Sequence, residues 1–342
     1  MSGYKTQYGK CIQGDSLDVL KTLDDNSIDL IITSPPFSLQ RHKSYGEIDQ
    51  DSYVDWLLQF GKATYGKLKE TGSLVIDLGG AYQKGKPVKA LYPFRFMLRM
   101  CDEIGYNLAQ DIYWHNPSAL PTPIEWVNKR KVRCKTSVNT IWWFSKSDNP
   151  KANIRNVLVP YSTRMKKFMD CPDEFVKKEG TKRPSGHVLG KKSWTTDNGG
   201  AIPPNLLQIS NTESNSQYLR YCKTFGIKGH PARFPSKLPE FFIKMLTEKG
   251  DLVVDIFGGS NTTGQVAESL SRKWLSIELN NEYVASSIFR FVIDEKRAYE
   301  LYTKILAGEN VTLSDEKKLL KDSYRNFNTS AGSSGFLLGN VG

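Results

Sequence analysis

Residues 252–264 read Leu252-Val253-Val254-Asp255-Ile256-Phe257-Gly258-Gly259-Ser260-Asn261-Thr262-Thr263-Gly264. An apolar run ends in an acid, turns through glycines and opens into Gln265 to Leu270, a segment able to start a helix. A second apolar strand follows, Trp274-Leu275-Ser276-Ile277, with Glu278 at its end, 23 positions after Asp255. Strand, glycine turn, helix, strand and acid in this spacing make the nucleoside-binding half of a doubly wound α/β sheet. The glycines let the backbone approach a ligand, and the acid accepts from ribose hydroxyls. The spacing is not G-x-G-x-x-G, so a dinucleotide is disfavoured. Without a pyrophosphate to bind, S-adenosylmethionine is the better candidate. An ordinary βαβ unit with a tight turn is the alternative.

A second element lies near the other end. Leu30-Ile31-Ile32 runs into Thr33-Ser34-Pro35-Pro36-Phe37. Ligand sites in open α/β sheets sit outside the carboxyl ends of strands, and two prolines stiffen the backbone around Ser34 and Pro35. A stiff turn offering a hydroxyl, a carbonyl and an aromatic face suits a planar base with an exocyclic amine. The amine donates to the hydroxyl and the carbonyl, and the ring stacks on Phe37. Taken alone, the motif also reads as a Pro-rich turn after a buried strand.

Together the two elements resemble the amino-group DNA methyltransferases of type II restriction–modification systems. The order resembles the permuted β subclass, with the catalytic motif ahead of the cofactor motif. Ser34-Pro35-Pro36-Phe37 matches the cytosine-N4 form of the catalytic motif; adenine-N6 enzymes more often carry Asp-Pro-Pro-Tyr. The resemblance spans about residues 8–295 and includes the longer stretches 124–131 and 202–210. Asn261 stands where the wider family usually has glycine, and Asn tolerates left-handed backbone.

The resemblance implies a Rossmann-like methyltransferase fold: a mostly parallel sheet with an antiparallel edge strand and a small inserted target-recognition region. It implies methyl transfer from S-adenosylmethionine to the N4 amine of a cytosine flipped out of double-stranded DNA. Ser34, Pro35, Pro36 and Phe37 are then catalytic. Asp15, Asp255, Phe257, Gly258, Gly259, Ser260, Asn261, Thr262 and Glu278 form the cofactor site. If the resemblance extends to specificity, the target is CAGCTG with the inner cytosine modified. A cognate endonuclease would share that site without needing contact. An adenine-N6 methylase and a non-catalytic DNA-binding regulator are the competing readings.

Composition agrees with a polyanion partner. The 342 residues hold 47 Lys plus Arg against 36 acids, a formal charge of +11. No 18-residue apolar run exists, so no membrane span is expected. The start, Met1-Ser2-Gly3-Tyr4-Lys5, lacks a signal-peptide core. A cytoplasmic, nucleoid-associated protein is expected, monomeric or a weak dimer. Cysteines 11, 101, 134, 171 and 222 form no C-x-x-C pair, and the four histidines are scattered. Disulfides and metal sites are therefore not expected. No Pro-Cys dipeptide offers the nucleophile of a cytosine-C5 methylase.

Along the chain, Gly14-Asp15-Ser16 starts a helix that Asp15 or Ser16 caps. Residues 38–52 read as a polar lid loop. Helices are expected at 53–68, 92–104, 240–246 and 283–300, and a strand at 73–78. Residues 106–114 and 139–144 read as a paired antiparallel edge. From 116 to 222 prolines recur, and basic residues crowd Lys129, Arg130, Lys131 and Arg133. That segment is the expected target-recognition region, with those four residues as DNA contacts. The implied domains are 1–115 (catalytic half), 116–222 (recognition), 223–308 (cofactor half) and 309–342. This last tail is expected to begin with a short helix and to be largely disordered.

Overall fold

The computed structural model describes residues 2–36, 50–80, 82–83, 85–171, 196–212 and 216–313. The chain divides into two compact units, Met1–Ala152 with Asn205–Gly342, and Asn153–Pro204.

The larger unit is built on one sheet. Its strands are β1 (Gly3–Lys5), β2 (Gly9–Gln13), β3 (Ile28–Thr33), β4 (Leu68–Leu78), β5 (Asn107–His115), β6 (Val138–Ser145), β7 (Leu206–Gln208), β8 (Leu252–Asp255), β9 (Lys273–Glu278) and β10 (Asn310–Thr312). They lie in the order β10-β1-β2-β9-β8-β3-β4-β6-β5-β7. β2, β9, β8, β3 and β4 are mutually parallel. β6 runs against them, and β5 pairs antiparallel to β6. The helices of this unit are α1 (Ser16–Lys21), α2 (Gln50–Tyr65), α3 (Tyr92–Arg99), α5 (Gln217–Thr224), α6 (Lys237–Leu246), α7 (Thr262–Ser269), α8 (Asn281–Ser287) and α9 (Glu295–Leu306); α4 (Thr163–Asp170) belongs to the smaller unit.

Every residue of β3 is buried, as a central parallel strand covered on both faces requires. Its Ile28, Ile31 and neighbours pack with Leu57, Leu58, Phe96 and Phe144 in the main core. Each such side chain stabilises the fold by roughly 1.5–3 kcal/mol on burial. From β3 the chain crosses through α2 to β4. From β8 it crosses through α7 to β9, on the opposite side. The topological switch point therefore falls between β3 and β8, and a ligand site is expected outside their carboxyl ends.

Several boundaries differ from the sequence reading. The helix expected to reach Leu68 ends at Tyr65, and Leu68 instead opens β4, pairing with Ile28. α6 starts at Lys237 rather than Glu240, because Pro239 is tolerated in a first turn where its missing N–H has no partner to lose. The 283–300 helix is two, α8 and α9, separated by a 3₁₀ turn at Ile288–Arg290 and capped anew by Asp294. The β5/β6 pair is antiparallel as expected, but β7 adds beyond β5 and takes the edge. The tail does not begin with a helix: Asn310–Thr312 pairs parallel to β1. Phe37, the lid loop as far as residue 49, and the tail beyond 313 lie outside the described residues.

The smaller unit holds a short 3₁₀ turn at Ile154–Val157 and α4, capped by the Asn153 and Ser162 side chains. Neither helix buries a residue. An isolated bridge joins Val159 to Ala201. No helix among the described residues is long and apolar enough to cross a membrane.

Candidate active site

The carboxyl ends of β3, β4, β8 and β9 surround a cavity of about 820 Å³ in the larger unit. Both sequence motifs reach it. Ser34, Pro35 and Pro36 line it, as do Asp255, Phe257, Gly258, Gly259, Ser260, Thr262 and Glu278, with Asp15.

The glycine turn is shaped by its neighbours. The Gly258 N–H donates to the Ile277 carbonyl (2.9 Å) and the Gly259 N–H to Glu278 Oε2 (2.8 Å). Gly259 has φ +50°, and a Cβ on Gly258 would stand 2.1 Å from Ser276 Oγ. Side chains are excluded here for reasons of both conformation and space. Asn261 takes the left-handed conformation expected of it, φ 56° and ψ 44°. Its side chain is fully buried and spent on the scaffold. Oδ1 accepts from the Gly264 N–H (3.0 Å), capping α7, and Nδ2 donates to the Tyr4 hydroxyl (2.9 Å). Alone among the nine residues expected to hold the cofactor, it is not on the cavity wall.

Asp255 is also heavily engaged. It accepts from Thr33 Oγ1 and Thr263 Oγ1 (2.7 Å each) and from the Phe257 N–H (3.1 Å), tying β3 to the turn. Burial raises its pKa against those hydrogen bonds. Glu278 accepts from the Asn280 and Gly259 N–H groups (2.9 and 2.8 Å), and burial raises its pKa too. Asp15 caps α1 by accepting from the Leu17 N–H (2.8 Å) while facing the cavity; Ser16 instead donates to the Ile256 carbonyl (2.6 Å). Arg290, brought inward by the turn after α8, donates to the Ser260 carbonyl and hydroxyl (2.5 and 2.9 Å).

On the catalytic side, the Tyr53 hydroxyl donates to the Pro36 carbonyl (2.9 Å) and pins the proline turn. The register that pairs Thr33 with Ile76 sets Ser34 beside Asp77. Ser34 Oγ lies 3.3 Å from the Asp77 carbonyl and 3.5 Å from Oδ2. Asn139 Nδ2 donates to Asp77 Oδ1 (3.2 Å). Burial pushes the Asp77 carboxyl up to about 7, more than these two hydrogen bonds lower it. A carboxyl raised by burial in a cleft is a candidate for proton transfer.

Asp77, Asn139, Trp56 and Phe60 line the cavity and had no role in the sequence reading; His230 lines it too, at the head of the 230–239 segment, which resembles the family element expected to cover the methionine end of the cofactor. Asp77 carried a usable signal, an acid one residue from the end of an apolar strand, close to the pattern that singled out Glu278. Phe257 packs on Phe60 (4.8 Å) and Trp56 (5.8 Å), making an aromatic wall. His230 packs edge-on against Tyr283 (4.6 Å).

Lys129, Arg130, Lys131 and Arg133 lie outside the cavity lining. Lys129 and Arg130 both reach Glu125 (3.4 and 2.9 Å), and Arg130 covers Trp126. Arg133 stacks on Tyr82, 3.5 Å from the ring centre. Lys131 is exposed, with φ +54°.

The donor set fits S-adenosylmethionine. A carboxylate closes the second strand, the glycine turn lies beside it, and Phe257, Phe60 and Trp56 line the same cavity.

Comparison with known proteins agrees with this geometry. The DNA methylase family model matches residues 28–289. The chain is 59% identical over 314 residues to the type II methyltransferase M.PvuII of Proteus hauseri, covering 91% of this chain and 93% of that protein. It is 25% identical to M.BglII of Bacillus subtilis, covering 82% and 68%. The solved PvuII DNA methyltransferase (cytosine-N4-specific) superposes with a TM-score of 0.74 at 52% identity, covering 90% of this chain and 96% of that one.

Proposed function

The chain belongs to the DNA methylase family, and from that membership we propose a site-specific cytosine-N4 DNA methyltransferase that uses S-adenosylmethionine. The observation that carries this reading is that Ser34 and the buried Asp77 share one cavity with the glycine turn and Glu278. A serine at the head of the catalytic turn, 59% identity to M.PvuII and the cytosine-N4 specificity of the matching solved enzyme favour cytosine over adenine.

Glu278 and Asp15 hold the cofactor with Gly258, Gly259, Ser260 and Thr262. Asp255 and Asn261 keep the turn in shape, and Phe257 with Trp56 and Phe60 shields the site from water. When bound, the cofactor would supply an electrophilic sulfonium methyl for transfer to the N4 lone pair, with its neutral thioether as the leaving group. The Ser34 hydroxyl and the Pro35 carbonyl accept from the amine N–H groups and favour a pyramidal, nucleophilic nitrogen. Pro36, pinned by Tyr53, keeps that turn in place. Asp77 takes the proton that N4 sheds as the new N–C bond forms. Phe37 stacks on the base. No covalent enzyme intermediate is needed, so the rate comes from positioning and electrostatics.

Duplex DNA must surrender the base, at a cost of roughly a few kcal/mol. We assign the recognition region to 116–222, within which 153–204 is a compact unit of its own. Lys129, Arg130, Lys131 and Arg133 contact phosphates. The pairs with Glu125 are exposed and weak, so phosphates replace that carboxylate at little cost. The site proposed is CAGCTG, methylated at the inner cytosine. Its palindrome lets a monomer serve each strand in turn. A cognate endonuclease cutting the same site gives the methylation its protective purpose, and chromosomal DNA places the enzyme at the nucleoid.

Two measurements test this. Duplex DNA methylated with labelled cofactor and digested to nucleosides should yield N4-methylcytosine, mapped to CAGCTG. Labelled N6-methyladenine would overturn the base assignment, and labelled cytosine elsewhere would overturn the site alone. Glu278→Ala should weaken cofactor binding by about 1–3 kcal/mol, the scale of a charge-assisted hydrogen bond. Calorimetry with cofactor and no DNA reads it directly. Unchanged affinity would leave Glu278 as a brace for the turn only.

A further inference from the structure

The segment from 116 to 137 leaves β5 at His115 and re-enters β6 at Val138, the last pair of that ladder. β5 points the same way as the parallel strands and β6 points against them. Both ends of the excursion therefore stand at the carboxyl edge, where the cavity lies. Trp114 and Asn139, the preceding pair, line that cavity. Asn116 Oδ1 accepts from the N–H of Asn211 (3.2 Å), another residue of the wall. The root of the excursion is thus part of the rim.

Leu120 follows four residues after Asn116 and is 74% exposed, the highest value among the large apolar side chains described. Four residues span at most about 14 Å when extended, and the bond from Ala119 N–H to the Asn116 carbonyl (3.1 Å) shortens the path. The turn is braced as well. Pro117, Pro121 and Pro123 surround Leu120. Lys135 Nζ donates to the Ala119 carbonyl (3.0 Å), and the Thr122 N–H to the Leu120 carbonyl (2.8 Å). A single exposed leucine is ordinary. This one is held on a stiff turn beside a cavity that takes a base. Its excursion carries five cations (Lys129, Arg130, Lys131, Arg133, Lys135) against one acid, Glu125. The charge fits a polyanion and disfavours a second copy of this basic chain.

We infer that Leu120 is the wedge of base flipping: it enters the duplex at the target pair and fills the space the cytosine leaves. The inference rests on the DNA-methyltransferase reading. Apolar side chains wedge between base steps in DNA-bending proteins, and an apolar side chain replaces lost stacking without demanding hydrogen bonds.

The test compares two duplexes carrying the same site, one fully paired and one with an abasic position opposite the target cytosine. Single-turnover methylation by Leu120→Ala should fall about 10- to 100-fold on the paired duplex and stay within about 3-fold of wild type on the abasic one, where no pair resists flipping. Leu120→Met, which keeps an apolar wedge, should stay near wild type on both. Cofactor affinity of both variants should equal wild type, showing an intact fold. Wild-type rates for Leu120→Ala on the paired duplex would overturn the inference and leave the leucine for another partner. An equal loss on both duplexes would overturn it too. Failure of the wild-type protein on both would instead sink the methyltransferase reading beneath it.

Discussion

Asp77→Asn is expected to lower the single-turnover methylation rate by about 10²- to 10⁴-fold, the usual worth of a positioned proton acceptor. The amide matches the carboxylate in shape but cannot take the proton that N4 must lose. The pH profile separates this role from simple packing. In the wild type the carboxyl is pushed up to about 7 by burial, and only its ionised form accepts a proton. The rate should fall as pH drops, with a midpoint at or below about 7. Asp77→Asn should be slow and flat across that range. Stability should move the other way. The folded-state pKa is raised, so the stabilising contribution of Asp77 is complete below its unfolded value near 4 and is lost as pH rises through the folded value. Thermal melts should therefore show wild type losing ground to Asp77→Asn between about pH 4 and 7. A near wild-type rate with an unchanged acid limb would remove Asp77 from proton transfer.

The parts of this architecture that were legible in the sequence are those whose cause is local. β3 and β8 are short apolar runs ending in punctuation, prolines in one case and glycines in the other, and each folds as its pattern reads. Asn261 was legible as a left-handed residue because its own side chain makes that conformation affordable. β1, β7 and β10 are three-residue strands with no periodicity of their own; neighbouring strands make them. Leu68 illustrates the same limit. Its spacing continues α2, but pairing with Ile28 draws it into β4. In the site, the two motifs announced their residues. Asp77 and Asn139 became partners only through the β3–β4–β6 ladder. Trp56 and Phe60 look like ordinary core positions of an amphipathic helix until Phe257 turns toward them. The break at Ile288–Arg290 hides in a helical pattern because its purpose, the approach of Arg290 to Ser260, is tertiary.

Ser34→Ala is expected to lower turnover by roughly 10- to 1,000-fold, the range for a lost positioning hydrogen bond in a water-excluded site. In the proposed mechanism the hydroxyl faces the target amine, and it lies 3.5 Å from Asp77 Oδ2. Removing it takes away an acceptor for the amine and a donor that steadies the carboxylate. The loss of the donor has its own signature. The Ser34 hydrogen bond lowers the Asp77 pKa, so the acid limb of Ser34→Ala should move to higher pH. Cofactor affinity should hardly change, because Ser34, just after β3, makes no hydrogen bond to Glu278 or to the glycine turn and is proposed to face the amine. Ser34→Thr keeps the hydroxyl and should recover part of the rate, short of wild type because the added methyl crowds the proline turn. Ser34→Asp, converting the motif toward the adenine-N6 form, tests the same hydroxyl from the other side. It places a second carboxyl against Asp77, and two like charges in one buried site drive a pKa further upward. That variant should therefore be slower on cytosine than Ser34→Ala at neutral pH and should gain rate only as pH rises. Wild-type turnover in Ser34→Ala, with an unmoved acid limb, would take Ser34 out of the mechanism and leave Asp77 with the Pro35 carbonyl as the groups facing the amine.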